Sequence, residues 1–135
     1  AVLNVISAQR LVRRLHPDCM RSYTPDKATL EAIEKELLDL EAPEEKIKSK
    51  LPKVLYKAGG CAADGSTGYL GRLGIYEIMN VTEEIRKLIS APAFSLDAAR
   101  QKARSAGMMS MFEDGLRKAE KGITSIEEVF RVIKN

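Results

Sequence analysis

The chain has only two cysteines, and each closes or opens a four-residue frame whose other end is also a metal-ligand type: His16-Pro17-Asp18-Cys19 and Cys61-Ala62-Ala63-Asp64. A tetrahedral zinc site needs short pairs that turn tightly enough to aim both side chains at one point, with the two pairs brought together by the fold. The two-residue gaps are present here, but each frame supplies one thiol instead of two. If the frames act together, the fold must bring the two pairs to one point.

The remaining composition excludes several classes. With 44% hydrophobic and 30% charged residues, the 135-residue chain has the balance of a globular protein that buries one modest core or two small ones. Its 22 basic and 19 acidic residues leave a net charge of +3 spread along the length, too weak a field to argue for nucleic acid or anionic lipid. No apolar run approaches the roughly 20 residues needed to span a bilayer, and the start lacks the charged-then-apolar pattern of a signal peptide. A cytoplasmic setting follows, in which Cys19 and Cys61 are expected as thiols rather than a disulfide. Asn80-Val81-Thr82 matches a glycosylation sequon, which has meaning only in a secreted protein.

Periodicity predicts a mainly helical α+β chain. Val5, Ala8, Leu11 or Val12, and Leu15 share one helical face before Pro17, so residues 1–15 read as a helix. It begins uncapped, which suggests a piece of a longer chain whose packing partner lies upstream. Thr24 with Pro25 predicts a capped helix carrying Leu30, Ile33, Leu37 and Leu40 and stopping at Pro43. Residues 43–53 read as a short helix or linker, and Val54 to Tyr56 as a short strand. Gly65, Gly68, Gly71 and Gly74 recur around Tyr69 and Tyr76, predicting a β-hairpin over 66–81, flanked by Arg72 and Glu77 as either functional residues or a structural pair.

From Thr82 to the end the pattern is helical, giving a bundle over 82–135. Thr82 and Ser95 are expected caps, Gly107 and Gly122 expected stops, and Ser125 with Glu128 an expected capping box ahead of Ile126, Val129, Phe130 and Ile133. Met108, Met109, Met111 and Phe112 read as adaptable filling between helices. A phosphate loop would require Gly-Lys followed by Ser or Thr at the head of a helix, and the sequence contains none.

Several segments in order resemble the C-terminal part of the type II secretion and type IV pilus assembly ATPases. They are Gln9 to Leu15, Tyr23-Thr24-Pro25, Thr67-Gly68-Tyr69 with Gly71-Arg72 and Gly74-Ile75-Tyr76-Glu77, Gly107-Met108, Asp114-Gly115-Leu116-Arg117-Lys118, and Gly122-Ile123-Thr124-Ser125 with Glu127-Glu128-Val129. The resemblance implies a cytoplasmic hexameric motor, peripheral to the inner membrane, that drives polymerisation of pilin-like subunits. Its partners would be other subunits of the same ATPase and inner-membrane platform or secretion components. It implies residues 1–15 as the last part of the motor domain, 16–65 as a metal-binding insertion, 66–81 as a return to the motor domain and 82–135 as the helical bundle. It also places the ATP and magnesium sites upstream, so this region alone is expected to be non-catalytic and monomeric: without phosphate-cradling amides and a magnesium carboxylate, phosphoryl transfer lacks positioning and charge stabilisation.

The family typically holds a structural zinc with two Cys-x-x-Cys pairs, and this chain departs from that pattern at His16 and Asp64. Imidazole and carboxylate are legitimate zinc ligands that make the site less negative and less soft. Three states therefore stay open for His16, Cys19, Cys61 and Asp64: a weakened zinc site, a decayed metal-free site, or a disulfide. The apolar set Leu30, Ile33, Leu37, Leu40, Ile47, Leu51, Val54 and Leu55 is generous for a small insertion, which favours the metal-free version. Arg10, Arg13 and Arg14 are candidate inter-subunit residues that sense a neighbour's nucleotide, or else a solvated or internally paired face.

The competing function class is a free-standing zinc-ribbon-like module for nucleic acid or protein interaction. It requires clustered basic and aromatic residues near the frames, whereas Tyr23, Tyr56 and Tyr69 sit among balanced charges. No nucleic-acid partner is expected. An independent enzyme lacks a paired nucleophile and base, since His16, the sole histidine, lies in a metal frame.

Overall fold

A computed structural model describes residues 3–40 and 44–134. Its elements run β1 (Val5–Leu15), β2 (Arg21–Tyr23), α1 (Lys27–Leu38), α2 (Glu44–Lys50), β3 (Leu55–Lys57), β4 (Tyr69–Asn80), α3 (Glu83–Ser90), α4 (Leu96–Ser105), α5 (Met111–Glu120) and α6 (Ile126–Ile133). The α+β class is as expected. None of the described helices is long and apolar enough to cross a membrane.

The first element is a correction: residues 5–15 form a strand, not a helix. The helical spacing of Val5, Ala8, Leu11 and Leu15 is coincidental, since only Val12 and Leu15 of this strand are buried. What decides the outcome is a partner distant in sequence. The strand β1 pairs antiparallel with β4, from Val5 opposite Asn80 to Arg13 opposite Arg72, with an irregularity before Leu15 meets Tyr69. A strand with β-branched Val5, Ile6 and Val12 takes that geometry readily once the partner is in place.

The hairpin expected within 66–81 is corrected in the same way: its glycines lie within or just before the single strand β4, whose partner is β1 across the whole insertion. Arg72 and Glu77 do not form a pair. They fall on opposite faces of the strand, and the Glu77 carboxylate instead accepts from the Met111 N–H at 3.3 Å.

Each edge of this two-stranded sheet is capped over part of its length, which shortens the template it offers for aggregation. Along the free edge of β1, the Arg13 N–H donates to Glu128 (2.8 Å), the Leu15 N–H to the Ile123 carbonyl (2.9 Å), and Thr124 Oγ1 to the Arg13 carbonyl (2.8 Å). Along β4, the Tyr76 N–H donates to Asp114 (2.9 Å) and Lys118 Nζ to the Gly74 carbonyl (2.9 Å). The polar residues of the Asp114–Lys118 and Gly122–Glu128 segments are thus the groups that finish the sheet.

The main core draws on every layer. Val12 and Ile75 from the sheet, Ile33 and Leu37 from α1, Ile47 from α2, Leu55 from β3, and Phe112, Leu116, Ala119, Ile126 and Val129 from α5 and α6 form one buried cluster. Six of the insertion's eight apolar residues therefore belong to the same core as the C-terminal helices; Leu30 is half-buried outside it and Val54 stays exposed. A second, smaller cluster of Val81, Ile85 and Ala103, with Met79 and Met108 against it, holds the α3–α4 pair.

Caps account for the helix ends. Thr82 and Ser95 cap α3 and α4 as expected, and Gly107 and Gly122 take left-handed conformations after α4 and α5. The first helix is capped by Asp26, whose carboxylate accepts from the Thr29 N–H, two residues later than the Thr24–Pro25 signal suggested. Its expected stop at Pro43 lies outside the described residues. Ser125 caps α6, but Glu128 does not complete the box; its carboxylate is turned to Arg13 and Arg131.

Candidate metal centre

The first frame sits immediately after β1. The His16 carbonyl accepts from the Cys19 N–H (3.1 Å) and the Met20 N–H (3.0 Å), a turn tight enough to bring Cys19 Sγ to 3.2 Å from His16 Nδ1. The second frame is a single turn of 3-10 helix, Ala62–Asp64, in which the Asp64 carboxylate reaches back to the Cys61 N–H at 3.0 Å. Two contacts hold the frames together. The His16 N–H donates to the Gly68 carbonyl (3.0 Å), and Gly59 approaches so closely that a Cβ there would lie 1.9 Å from the Cys19 carbonyl oxygen. Only glycine permits that approach.

All four side chains converge, with one ligand atom from each within 4.8 Å of the others. His16 Nδ1 lies at the centre: 3.2 Å from Cys19 Sγ, 3.3 Å from Cys61 Sγ and 3.0 Å from Asp64 Oδ2, while Cys61 Sγ is 3.5 Å from the same carboxylate oxygen. His16 is buried and the Asp64 side chain fully covered, whereas both cysteines are partly exposed. The Cys61 N–H does most to hold the Asp64 carboxyl below its usual range; burial opposes this, and the Gly68 N–H and His16 reinforce it. An ionised carboxylate only accepts, so His16 Nδ1 carries the proton between them.

Cys19 and Cys61 are joined as a disulfide, with Cα atoms 6.1 Å apart. The expectation of free thiols is corrected by that pairing: the His16–Cys19 turn and the Gly59 approach place the two sulfurs against each other. The donor set nevertheless fits zinc. With bonds of about 2.0 Å to nitrogen and oxygen and 2.3 Å to sulfur, the edges of a tetrahedron run roughly 3.3 to 3.8 Å, close to the four distances given above. The sulfur pair departs, since the two atoms would have to open from a bond of about 2 Å to such an edge. Imidazole, carboxylate and two thiolates are hard and soft enough together to suit zinc.

The three arginines separate. Arg10 donates to the Val132 carbonyl on α6. Arg13 lies between Glu128 (Nε to Oε1 3.0 Å, Nη2 to Oε1 2.8 Å) and the ring of Tyr69, 4.2 Å from its centroid. Arg14 is exposed on the strand. Glu128 and Tyr69 are the residues that sequence reasoning missed. Glu128 matched a capping box, which hid its other use, and Tyr69 offered no signal beyond its place among glycines; its hydroxyl lies 2.8 Å from Ser125 Oγ.

Comparison with known proteins agrees over almost the whole chain. The family model described as "Type II/IV secretion system protein" matches residues 1–131. The chain is 40% identical over 129 residues to "Type II secretion system ATPase E" of Vibrio cholerae, covering 96% of this chain and 23% of that protein. It is 39% identical to "Type IV pilus assembly ATPase PilB" of Thermus thermophilus, covering 96% of this chain and 13% of the relative. To "Protein transport protein HofB homolog" of Escherichia coli it is 33% identical over 98% of this chain and 25% of the relative. The chain thus spans a quarter or less of these relatives, and the match is to one segment of each. On that agreement, which spans residues 1–131, the chain belongs to the type II/IV secretion system protein family.

Proposed function

We propose that this chain is the C-terminal assembly and coupling region of a hexameric ATPase that powers type II secretion or type IV pilus assembly, and that it is non-catalytic by itself. The observation that carries the reading is the near-complete match to one segment of proteins named as secretion and pilus ATPases, in a sequence with no phosphate loop. The working location is cytoplasmic, against the inner membrane. Neighbouring subunits and the inner-membrane platform are the partners, and Arg14, with Arg10 and Arg13 beside it, is the inter-subunit contact to test first.

Within that region, His16, Cys19, Cys61 and Asp64 would hold a structural zinc. When bound, the ion supplies a cross-link and no reaction chemistry. The chain's own residues define what is linked: the turn leaving β1 and the loop entering β4, the two points at which the insertion departs from the sheet. The His16 N–H to Gly68 carbonyl bond already holds those points together. The insertion shares its core with α5 and α6, so nucleotide-driven displacement of a motor domain attached to β1 is transmitted through one packed unit.

A chimera tests the reading: the aligned segment of the Vibrio cholerae ATPase is replaced by this chain, and ATP turnover, oligomeric state and secretion are measured. Turnover and secretion in the chimera, with none from the isolated chain, are expected. ATP hydrolysis by the isolated chain overturns the non-catalytic assignment. A chimera that hydrolyses ATP yet neither assembles nor secretes overturns the coupling role.

A further inference from the structure

We propose that Cys19 and Cys61 alternate between metal ligation and a disulfide, so that oxidation discharges the metal from this site in one step; the proposal rests on the zinc reading given above. The same backbone serves both states. Cα atoms 6.1 Å apart fall within the range a disulfide bridges, and all four ligand atoms already lie within 4.8 Å of one another.

The number of thiols makes the exchange all-or-none. A site with four cysteines keeps two thiolates when one disulfide forms. This chain has two cysteines in total, so a single S–S bond removes every soft ligand and leaves one imidazole and one carboxylate, too few to retain zinc.

The oxidised state also leaves both His16 Nδ1 and the Asp64 carboxylate with partners. His16 Nδ1–H donates to Asp64 Oδ2 at 3.0 Å, and Asp64 Oδ1 accepts the Cys61 N–H at 3.0 Å. The ligands given up by the metal therefore satisfy each other, which removes the desolvation cost of vacating the site. Both cysteines are partly exposed, open to a small oxidant.

The oxidant is a peroxide. One thiolate attacks the O–O bond, forming a sulfenic acid and releasing hydroxide; the second thiolate attacks that sulfur, forming the S–S bond and expelling the oxygen as a second hydroxide. Two protons from solvent convert both hydroxides to water, two electrons pass from sulfur to peroxide, and zinc leaves as Zn2+ with its oxidation state unchanged. A dithiol reverses the step by thiol–disulfide exchange. Either state cross-links the base of the insertion, across a sequence separation of 42 residues. Only the reduced, metal-free chain lacks the link.

The test uses the reduced chain loaded with zinc and titrated with hydrogen peroxide, following zinc release with a chromogenic chelator, free thiols with a thiol-reactive dye and intact mass. The expected result is one zinc per chain, released in proportion to the loss of both thiols, with a mass lower by two hydrogens, and zinc uptake restored by dithiothreitol. Cys61→Ser should show no such mass loss, because an internal disulfide cannot form. Zinc bound by the reduced chain but retained until sulfinic acid appears overturns the switch and leaves the metal site standing. No zinc on the reduced chain overturns the metal site and the switch together.

Discussion

Glu128 on α6 holds Arg13 on β1, 115 residues away, by both backbone and side chain: one carboxylate oxygen accepts the Arg13 N–H at 2.8 Å and the other the guanidinium at 2.8 Å. The carboxylate also takes Arg131 at 2.8 Å. This contact closes the free edge of the sheet with the last helix. Glu128→Ala leaves the Arg13 N–H unpaired beneath α6 and two arginines without their anion. Both arginines are about half exposed and re-solvate easily, so the cost is about 1 to 2 kcal/mol. A lower Tm by several degrees is expected in thermal unfolding; an unchanged Tm sinks this account of the edge.

The same residue sets an acid limit on stability. Burial pushes the Glu128 carboxyl up, but hydrogen bonds from Arg131 and Arg13 outweigh it and bring the group from 4.5 to about 2. A carboxyl depressed in the folded state contributes stability that is present above its unfolded pKa and lost as pH falls through the folded one. The loss therefore runs from about pH 4.5 down to about 2. Glu113 is also lowered and adds in the same direction: burial opposes, while Lys50, the Ser110 N–H and Arg104 prevail. After discounting for the half-exposed arginines, the Glu128 share is about 2 kcal/mol. Glu128→Gln should flatten the urea-stability profile below pH 4.5 relative to the native chain, and parallel profiles would refute the assignment.

At the candidate metal centre, backbone approach can be separated from backbone conformation with two glycines. Gly59→Ala drives a Cβ to 1.9 Å from a backbone oxygen that cannot rotate away, so the loop carrying Cys61 must shift. Gly65 has φ +67 with nothing within 4 Å of its Cβ position, and alanine there meets only the left-handed penalty of about 1 kcal/mol. Gly59→Ala is expected to cost at least about twice as much and to slow Cys19–Cys61 cross-linking on non-reducing gels. Equal effects at the two positions would mean that the frames are not held by this approach.

Local chemistry made part of this molecule readable from its sequence. Thr82, Ser95 and Ser125 cap their helices because an N-cap is a contact between neighbours in the chain, and the convergence of His16, Cys19, Cys61 and Asp64 follows from two tight frames with ligand chemistry. The strand β1 was not readable. Val5, Ala8, Leu11 and Leu15 satisfy a helical period by accident, and the information that overrides it lies in Tyr69–Asn80, on the far side of the insertion. Glu128 shows the same limit: its spacing from Ser125 announced a cap, while the stronger pull came from Arg13, at the other end of the chain. The relationship between the thiols was legible as proximity and not as redox state, because metal ligation and disulfide formation place the same demand on the backbone.

Glu113 ties the insertion to the C-terminal helices. It completes the capping box of α5 by accepting the Ser110 N–H at 2.8 Å, and it pairs with Lys50 of α2 at 2.8 Å and, more loosely, Arg104 of α4 at 3.5 Å. Glu113→Ala leaves the Ser110 Oγ cap in place but frees the Ser110 N–H and deprives Lys50 and Arg104 of their shared anion, for about 1.5 kcal/mol. Lys50 is nearly half exposed, so Lys50→Ala alone should cost about 0.5 kcal/mol. A double-mutant cycle by urea unfolding checks this, with a coupling of about 0.5 kcal/mol expected. A coupling of zero would make the contact incidental and leave the tie between α2 and the helices to the shared core.

Asp64 has two separable duties. One oxygen accepts the Cys61 N–H at 3.0 Å and shapes the turn; the other faces His16 at 3.0 Å and is the proposed zinc ligand. Asp64→Asn retains a carbonyl oxygen for the Cys61 N–H but gives up the anionic ligand, whereas Asp64→Ala loses both. The metal-free asparagine variant keeps the turn but sets an amide NH2 against His16 Nδ1–H, so it should lose about 1 kcal/mol, and the alanine variant, which also gives up the Cys61 N–H contact, about 2 kcal/mol. Zinc affinity, measured by competition with a calibrated chelator, should fall at least about tenfold in both. If the asparagine variant binds zinc as tightly as the native chain, the carboxylate is a turn-former only, and three ligands must hold the metal without it.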